Sequence, residues 1–405
     1  MSSPSPAAAP HLRGLICWII KHYLRMAELI KTLLSFSERA GEIARAIRQE
    51  PKLFSLLVEE KGEGEKNQRF AHDFKTLADV LIQEALRHHV ARMIPSLAQW
   101  VQGEESAEFT NTLGEKITVR ICDTQDGTAT LLAKVLDGNK EAADILAALA
   151  HRDVTFSPDP HLMERVPDLP VEHLGIWIDP VDSTGEYVRG RPSQAKGSIH
   201  QQGLQCVTVL IGVFDRRSGL PVAGIINQPF AIFTESNQSW EGKAYWGVSY
   251  GGASIHNLPP SAPGSPKASL PVVVVSSSED PALHAKLSRR FTVLHATGAG
   301  YKQLVVALGL AAASLSSKGS TFRWDSAAPH GLLRAAGGGV VVYRRLTSLT
   351  PAQDIAAETL EELQIRYHKP NENPAQPSLQ WCNEGGLVAY RDPKVLATVM
   401  ECVAE

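Results

Sequence analysis

Two carboxylates close the apolar run "GIWIDPVDST", residues 175 to 184. They are Asp179 and Asp182, three positions apart, with Ser183 and Thr184 directly behind them. Further acids stand where other elements should begin or end: Glu104 and Glu105 in "GEES", and Asp325 in "RWDSAAPH". Asp73 heads the segment "DFKTLADVLIQEALRHHV". Hard divalent cations such as Mg2+ take carboxylates, carbonyls and water as ligands. A pair of such ions roughly 3.5–4 Å apart polarises a phosphoryl oxygen and activates water at neutral pH. The spacing in "DPVDST" suits such a pair. Pro180 fixes φ and turns the chain, so Asp179 can bridge two ions, the Val181 carbonyl can face one and Asp182 can take the second. If a helix follows, the N–H groups at Ser183 and Thr184 would meet a phosphate, and Gly185 would let backbone approach a ligand.

Each feature also has a plainer reading. An Asp-Pro-x-Asp is commonly a polar turn, "GEES" a solvated loop, and Asp73 and Asp325 helix caps. Alone, the acids leave metal catalysis and simple structure evenly matched. Other chemistries are less supported. The fourteen histidines form no H-E-x-x-H and no tight pair with cysteine, which argues against zinc. "GAGYK", Gly298 to Lys302, lacks the spacing of a phosphate-cradling nucleotide loop.

The elements that must position these acids divide the chain unevenly. Leu29, Ile30, Leu33, Leu34, Ile43 and Ile47 recur at helical spacing, and a second helix is expected from Asp73. "EKITVRIC", "LGIWID", "CVTVLIGVF" and "VAGIIN" read as strands. "HNLPPSAPGSPKASLP", residues 256 to 271, reads as a linker. Beyond it are expected strands at "VVVVSSS", "GGGVVVY" and "GGLVAY", and helices at "YKQLVVALGLAAA" and "SAAPHGLLRAA". The expected organisation is an extension over residues 1–25, an α+β domain over 26–262 and an α/β domain over 263–405.

Bulk properties limit the partners. The 405 residues carry a net charge of -3, so no broad basic surface for nucleic acid is expected. Five scattered cysteines form no C-x-x-C pair and suit a reducing compartment, the cytoplasm. "MSSPSPAAAP" reads as disordered. The apolar core Leu15 to Ile20 is shorter than the roughly 20 residues that span a bilayer, so no stable membrane insertion is expected.

In order, the motifs "DFKTLADVLIQE", "GEESAEFTNTLGEKI", "GIWIDPVDST", "GLQCVTVLIGV", "GKAYWGVSY", "GAGYK" and "TFRWDS" carry a resemblance over about residues 26 to 404. The sequence resembles the lithium-sensitive, magnesium-dependent phosphomonoesterases, the superfamily that includes inositol monophosphatase and fructose bisphosphatase. Ser183, where monophosphatases commonly have glycine, points toward the branch acting on inositol polyphosphates. The resemblance implies a layered αβαβα fold of the α+β class, with the site between two domains. Glu104, Asp179 and the Val181 carbonyl would hold one Mg2+; Asp179, Asp182 and Asp325 would hold another, and a third during turnover stays open. Asp73 and Thr184 would orient and deprotonate the attacking water. Glu105, with Asp73, would shape the region where Li+ inhibits. Asp182, Ser183 and Thr184 would border the departing phosphate, while Ser278, Gly298, Ala299, Lys302 and Ser320 would hold the rest of the substrate. The implied reaction removes the 1-phosphate from inositol 1,4-bisphosphate and inositol 1,3,4-trisphosphate.

Two positions depart from that pattern. Asp280 stands where the family has a lysine for a distal phosphate, so it must turn away or the substrate preference differs; Arg189, Arg191 and Lys196 lie in a loop that could compensate. Gly185 replaces an aromatic residue. The rival readings are a 3'(2'),5'-bisphosphate nucleotidase of the same superfamily and a catalytically silent inositol-phosphate binding protein.

Overall fold

A computed structural model describes residues 26–49, 58–61, 74–260, 270–349 and 355–404. The N-terminal extension, Asp73 and most of the linker lie outside the described residues. Helix α1 (Met26–Gln49) buries all six residues of the expected stripe, from Leu29 to Ile47. Helix α2 (Leu77–Met93) starts later than expected. Phe74–Thr76 is a short strand paired with Val58–Glu60, and Thr76 is the cap. Its hydroxyl accepts the Asp79 N–H while the Asp79 carboxylate accepts the Thr76 N–H, a reciprocal capping box. Helices α3 (Gln125–Val135) and α4 (Lys140–His151) follow, and α4 packs its apolar face into the same core as α1 and α2.

Sheet one has six strands: β1 (Val101–Gly103), β2 (Leu174–Asp182), β3 (Thr208–Asp215), β4 (Pro221–Thr234), β5 (Ser239–Tyr250) and β6 (Ala253–His256). Their order across the sheet is β6-β5-β4-β3-β2-β1, antiparallel except for the parallel β1–β2 pair. The short helix α5 (Thr184–Arg189) leaves the end of β2. Sheet two follows the linker: β7 (Val272–Val275), β8 (Thr292–His295), β9 (Ala313–Ser316), β10 (Gly339–Val342) and β11 (Leu387–Tyr390), ordered β8-β7-β9-β11-β10. Strands β8, β7 and β9 run parallel; β11 is antiparallel to β9 and β10. Helices α6 (Pro281–Leu287), α7 (Ala299–Ala307), α8 (Arg323–Ala335) and α9 (Lys394–Ala404) are among those that accompany this sheet.

Side-chain alternation turns these elements into layers. Ile176 and Ile178 of β2 join the core under α1 and α2, whereas Trp177 points into the core shared with α7 and α8. In sheet two, Val274 faces that middle core and Val273 and Val275 face the outer core with Leu283 and Leu287 of α6 and Leu396 of α9. The result is the αβαβα stack. Helix α8 lies very close to sheet one, because glycines line its track. An added Cβ at Gly224 would come 1.9 Å from the Ala328 carbonyl, and one at Gly331 2.4 Å from Ala223.

Two expectations need correcting. The helix read through "YKQLVVALGLAAA" stops at Ala307; Gly309 takes φ 73° and the following Ala313 opens β9. Strands β5 and β6 were not expected, since "SWEGKAYWGVSY" mixes polar and apolar residues without clean alternation. Among the described residues, no helix is long and apolar enough to cross a membrane.

Candidate active site

On a regular strand, residues three apart face opposite sides. Asp179 and Asp182 escape this because β2 carries a bulge between them: Asp179 pairs with Leu210 but Asp182 pairs with Thr208. The extra residue falls at Pro180 and Val181, where proline has no N–H to give to the ladder. The two carboxylates therefore converge, and Asp325 in the first turn of α8 joins them. Ligand oxygens of Asp179, Asp182 and Asp325 all lie within 4.8 Å of one another, and among the described residues no histidine or cysteine completes the group.

Neighbouring elements hold the group in place. Asp182 accepts hydrogen bonds from the Thr208 hydroxyl (3.0 Å) and from the N–H groups of Ala299 (3.2 Å) and Gly300 (2.9 Å) at the start of α7. That approach needs Gly298, at φ 79°: a Cβ there would sit 2.8 Å from the Cys206 carbonyl. Asp325 accepts the Phe322 N–H. Glu104 and Glu105 follow β1, and Gln83 of α2 clamps the Glu105 backbone through both its amide atoms. The Lys61 ammonium lies between the two glutamates, 2.6 Å from Glu104 and 2.8 Å from Glu105. Glu104 is near enough to act on Asp179 but stands outside the three-acid group.

The acid that the sequence reading missed is Asp79. It is fully buried, and its Oδ2 accepts both the N–H (2.7 Å) and the hydroxyl (2.6 Å) of Thr76. Its Oδ1 has no partner. The available signal was the T-x-x-D spacing of "TLAD", a capping box whose acid falls on the buried side of α2.

These acids repel one another in a dry site. Burial, then Glu104, Asp182 and Asp325, push the Asp179 carboxyl well above the usual range. Burial and Asp182 do the same for Asp325. Burial raises Asp79 to about 7 and Glu105 to about 8. Asp182 is raised too, with Lys302 opposing the effect of burial. The donor set is all oxygen, and Asp79 and Asp179 each keep a buried oxygen without a hydrogen bond. Such a site fits hard divalent cations.

A stability test follows. Between about pH 4, where unfolded aspartates titrate, and pH 7 to 8, the metal-free native state holds protons that the unfolded chain has lost. More protons on the native state means that stability falls as pH rises. Chelator-treated protein is therefore expected to melt at progressively lower temperature from pH 5 to pH 8, with Mg2+ restoring most of the loss. A melting temperature that stays level or rises over this range would contradict the account.

The model of the inositol monophosphatase family matches residues 155–373, more than half of the chain. The chain belongs to the inositol monophosphatase family. It is accordingly a phosphoric monoester hydrolase. Human inositol polyphosphate 1-phosphatase is 44% identical over 397 residues, covering 94% of this chain and 98% of its own. The bovine enzyme of the same name is 45% identical over 399 residues, covering 93% and 96%. Mouse 3'(2'),5'-bisphosphate nucleotidase 1 is 26% identical over 316 residues, covering 77% and 82%. In fold, the chain is similar to the suhB protein of Bartonella henselae, with TM-score 0.50 and 12% identity over 93% of this chain and 98% of that one.

Within this family member, the other expected residues fall as follows. Ser183 takes φ 73°, a left-handed conformation that costs a non-glycine residue on the order of 1 kcal/mol. Thr184 begins α5 and donates its hydroxyl proton to the Val181 carbonyl (3.1 Å). Its oxygen is thereby left to accept. Lys302, in the first turn of α7, has its pKa lowered by burial, against the opposing pull of Asp182 and Asp325. Ser278 and Ser320 lie on loops after β7 and β9. Asp280 caps α6, accepting the Ala282 N–H at 2.9 Å, so its carboxylate serves its own helix. Arg189 is held by Glu186 at 2.6 Å. A polar cleft of about 570 Å3 opens beside these loops, lined by Ser193, Gln194, Gln201, Gln202, Ser277, His295 and Thr297 among others.

Proposed function

We propose that this phosphatase removes the 1-phosphate from inositol 1,4-bisphosphate and inositol 1,3,4-trisphosphate, with Mg2+ as cofactor and Li+ as inhibitor. The observation that carries the reading is the convergence of Asp179, Asp182 and Asp325 from β2 and α8. The inositol polyphosphate 1-phosphatases at 44% and 45% identity over nearly the whole chain support the substrate.

Glu104, Asp179 and the Val181 carbonyl would hold one cation, and Asp179, Asp182 and Asp325 a second. When bound, such cations lower the pKa of coordinated water and neutralise charge developing on the phosphoryl oxygens. The chain's own groups do the rest. Thr184, its proton committed to Val181, offers a lone pair that turns the attacking water toward phosphorus. Asp79 Oδ1, buried and without a partner, takes the water's proton, a role the reading of the sequence had given to Asp73. Ser183 and Thr184 border the departing phosphate. Gly298, Ala299, Lys302, Ser278 and Ser320 line the substrate side. Lys61 and Glu105 set the charge beside the site where Li+ would compete.

Phosphate release should be followed with Mg2+ on inositol 1,4-bisphosphate, with and without Li+, and on adenosine 3',5'-bisphosphate. The expected result is lithium-sensitive loss of the 1-phosphate and at least about tenfold lower kcat/KM for the nucleotide. Preference for the nucleotide would keep the metal centre and overturn the substrate. Silence toward both would make the chain a binder.

A further inference from the structure

Sheet two has a topological switch at β7, which lies between its parallel neighbours β8 and β9. From β7 the chain returns through α6, whose Leu283 and Leu287 pack in the outer core. From β8 it returns through α7, whose Tyr301 and Leu304 pack in the middle core. Helices leaving on opposite faces open a crevice at the carboxyl ends of such strands, the usual place for ligands in sheets of this kind. Here that edge adjoins the acidic centre, because the N–H groups opening α7 bind Asp182.

The loops after β7 and β9 meet over this crevice and are stitched together. Buried Glu279 accepts the Ser317 N–H (3.0 Å) and the Ser317 hydroxyl. Ser316 donates to the Lys318 carbonyl at 3.0 Å and lies 3.4 Å from the Ser320 hydroxyl. From the second loop, the exposed Lys318 ammonium reaches across to the Ser278 carbonyl at 2.5 Å. It thus touches the backbone of Ser278 from the loop that carries Ser320, the two residues whose hydroxyls are expected to face substrate, and a single carbonyl leaves its other two N–H groups available.

Three other charged side chains near these loops already have acidic neighbours or a cap to serve. Lys302 lies in the field of Asp182 and Asp325, which act against the effect of its burial. Arg189 is held by Glu186. Asp280 is turned to its helix cap. We infer that Lys318 binds the second phosphate of the substrate, the one distant from the reacting phosphorus, and so selects polyol bisphosphates over monophosphates. The charge missing at position 280 is supplied from the facing loop. This rests on the inositol bisphosphate reading above.

The test compares wild type, Lys318→Ala and Lys318→Arg on inositol 1,4-bisphosphate and on inositol 1-phosphate, with Mg2+ and with melting temperatures recorded. In Lys318→Ala, kcat/KM for the bisphosphate should fall roughly tenfold to a hundredfold, mainly through KM, as expected for one lost charge-assisted contact away from the reacting centre. The loss for the monophosphate should be at least about five times smaller. Lys318→Arg should retain most of the discrimination, and all three proteins should melt alike. Equal losses on both substrates, or no loss, would overturn the role of Lys318 while leaving the function intact. Wild-type silence toward both inositol phosphates would overturn the reading, and the inference with it.

Discussion

Asp179→Asn is expected to lower turnover by about three orders of magnitude or more while making the metal-free protein more stable. Asparagine keeps the volume and one oxygen but removes the charge that, in the proposed mechanism, two cations would share. A loss of roughly 4 kcal/mol of charge stabilisation corresponds to about a thousandfold in rate. The gain in stability has the opposite origin. Asp179 is only 1% exposed and faces Glu104, Asp182, Asp325 and Asp79, so its negative charge is costly without a counterion. Single-turnover phosphate release over a Mg2+ titration, beside melting in chelator, measures both. Residual turnover above about 1% at saturating Mg2+ would remove Asp179 from the proposed reaction, since losing a carboxylate that would serve both cations should leave far less.

Asp79→Asn is expected to cost about 10²- to 10⁴-fold in kcat, the range usual for loss of a positioned proton acceptor. KM should change little, because the role proposed for Asp79 is toward the water and not the inositol. The variant should still fold: asparagine retains a side-chain oxygen to accept the Thr76 N–H and hydroxyl that Asp79 Oδ2 takes now. Rates and thermal melts of wild type and variant in Mg2+ provide the check. A fall in kcat below about fivefold would move the proton to another group.

Much of the site could be read from short-range chemistry. Residues in "DPVDST" are fixed by one proline and one bulge, both local, so the convergence of Asp179 and Asp182 follows from a few adjacent positions. The six-residue stripe of α1 was legible for the same reason, since burial of one helix face imposes its own spacing. Asp79 was not legible as a site residue because two cap signals competed. Asp73 precedes the apolar pattern, but Thr76 and Asp79 form the reciprocal pair, and which pair caps the helix depends on the strand pairing of Phe74–Thr76 with Val58–Glu60. That pairing is a contact between distant parts of the chain. The overlong expectation for α7 has a similar cause. An alanine run at 311–313 suits a helix locally, yet Gly309 in the left-handed region ends it and sheet two claims Ala313. The partnership of Lys318 with Ser278 spans 40 positions and depends on β7 and β9 lying side by side.

The glycine track beneath α8 has a consequence for how the molecule holds together. Asp325 belongs by chain order to the second half, but its helix is pressed onto β3 and β4 of the first through Gly212, Gly224 and Gly331. The three converging acids are therefore carried by sheet one and the helix seated on it. Ser278, Lys318 and Ser320 ride on the loops of sheet two. The N–H groups that open α7, on the sheet-two side, also hold Asp182, so the acidic cage is braced from both sheets at once.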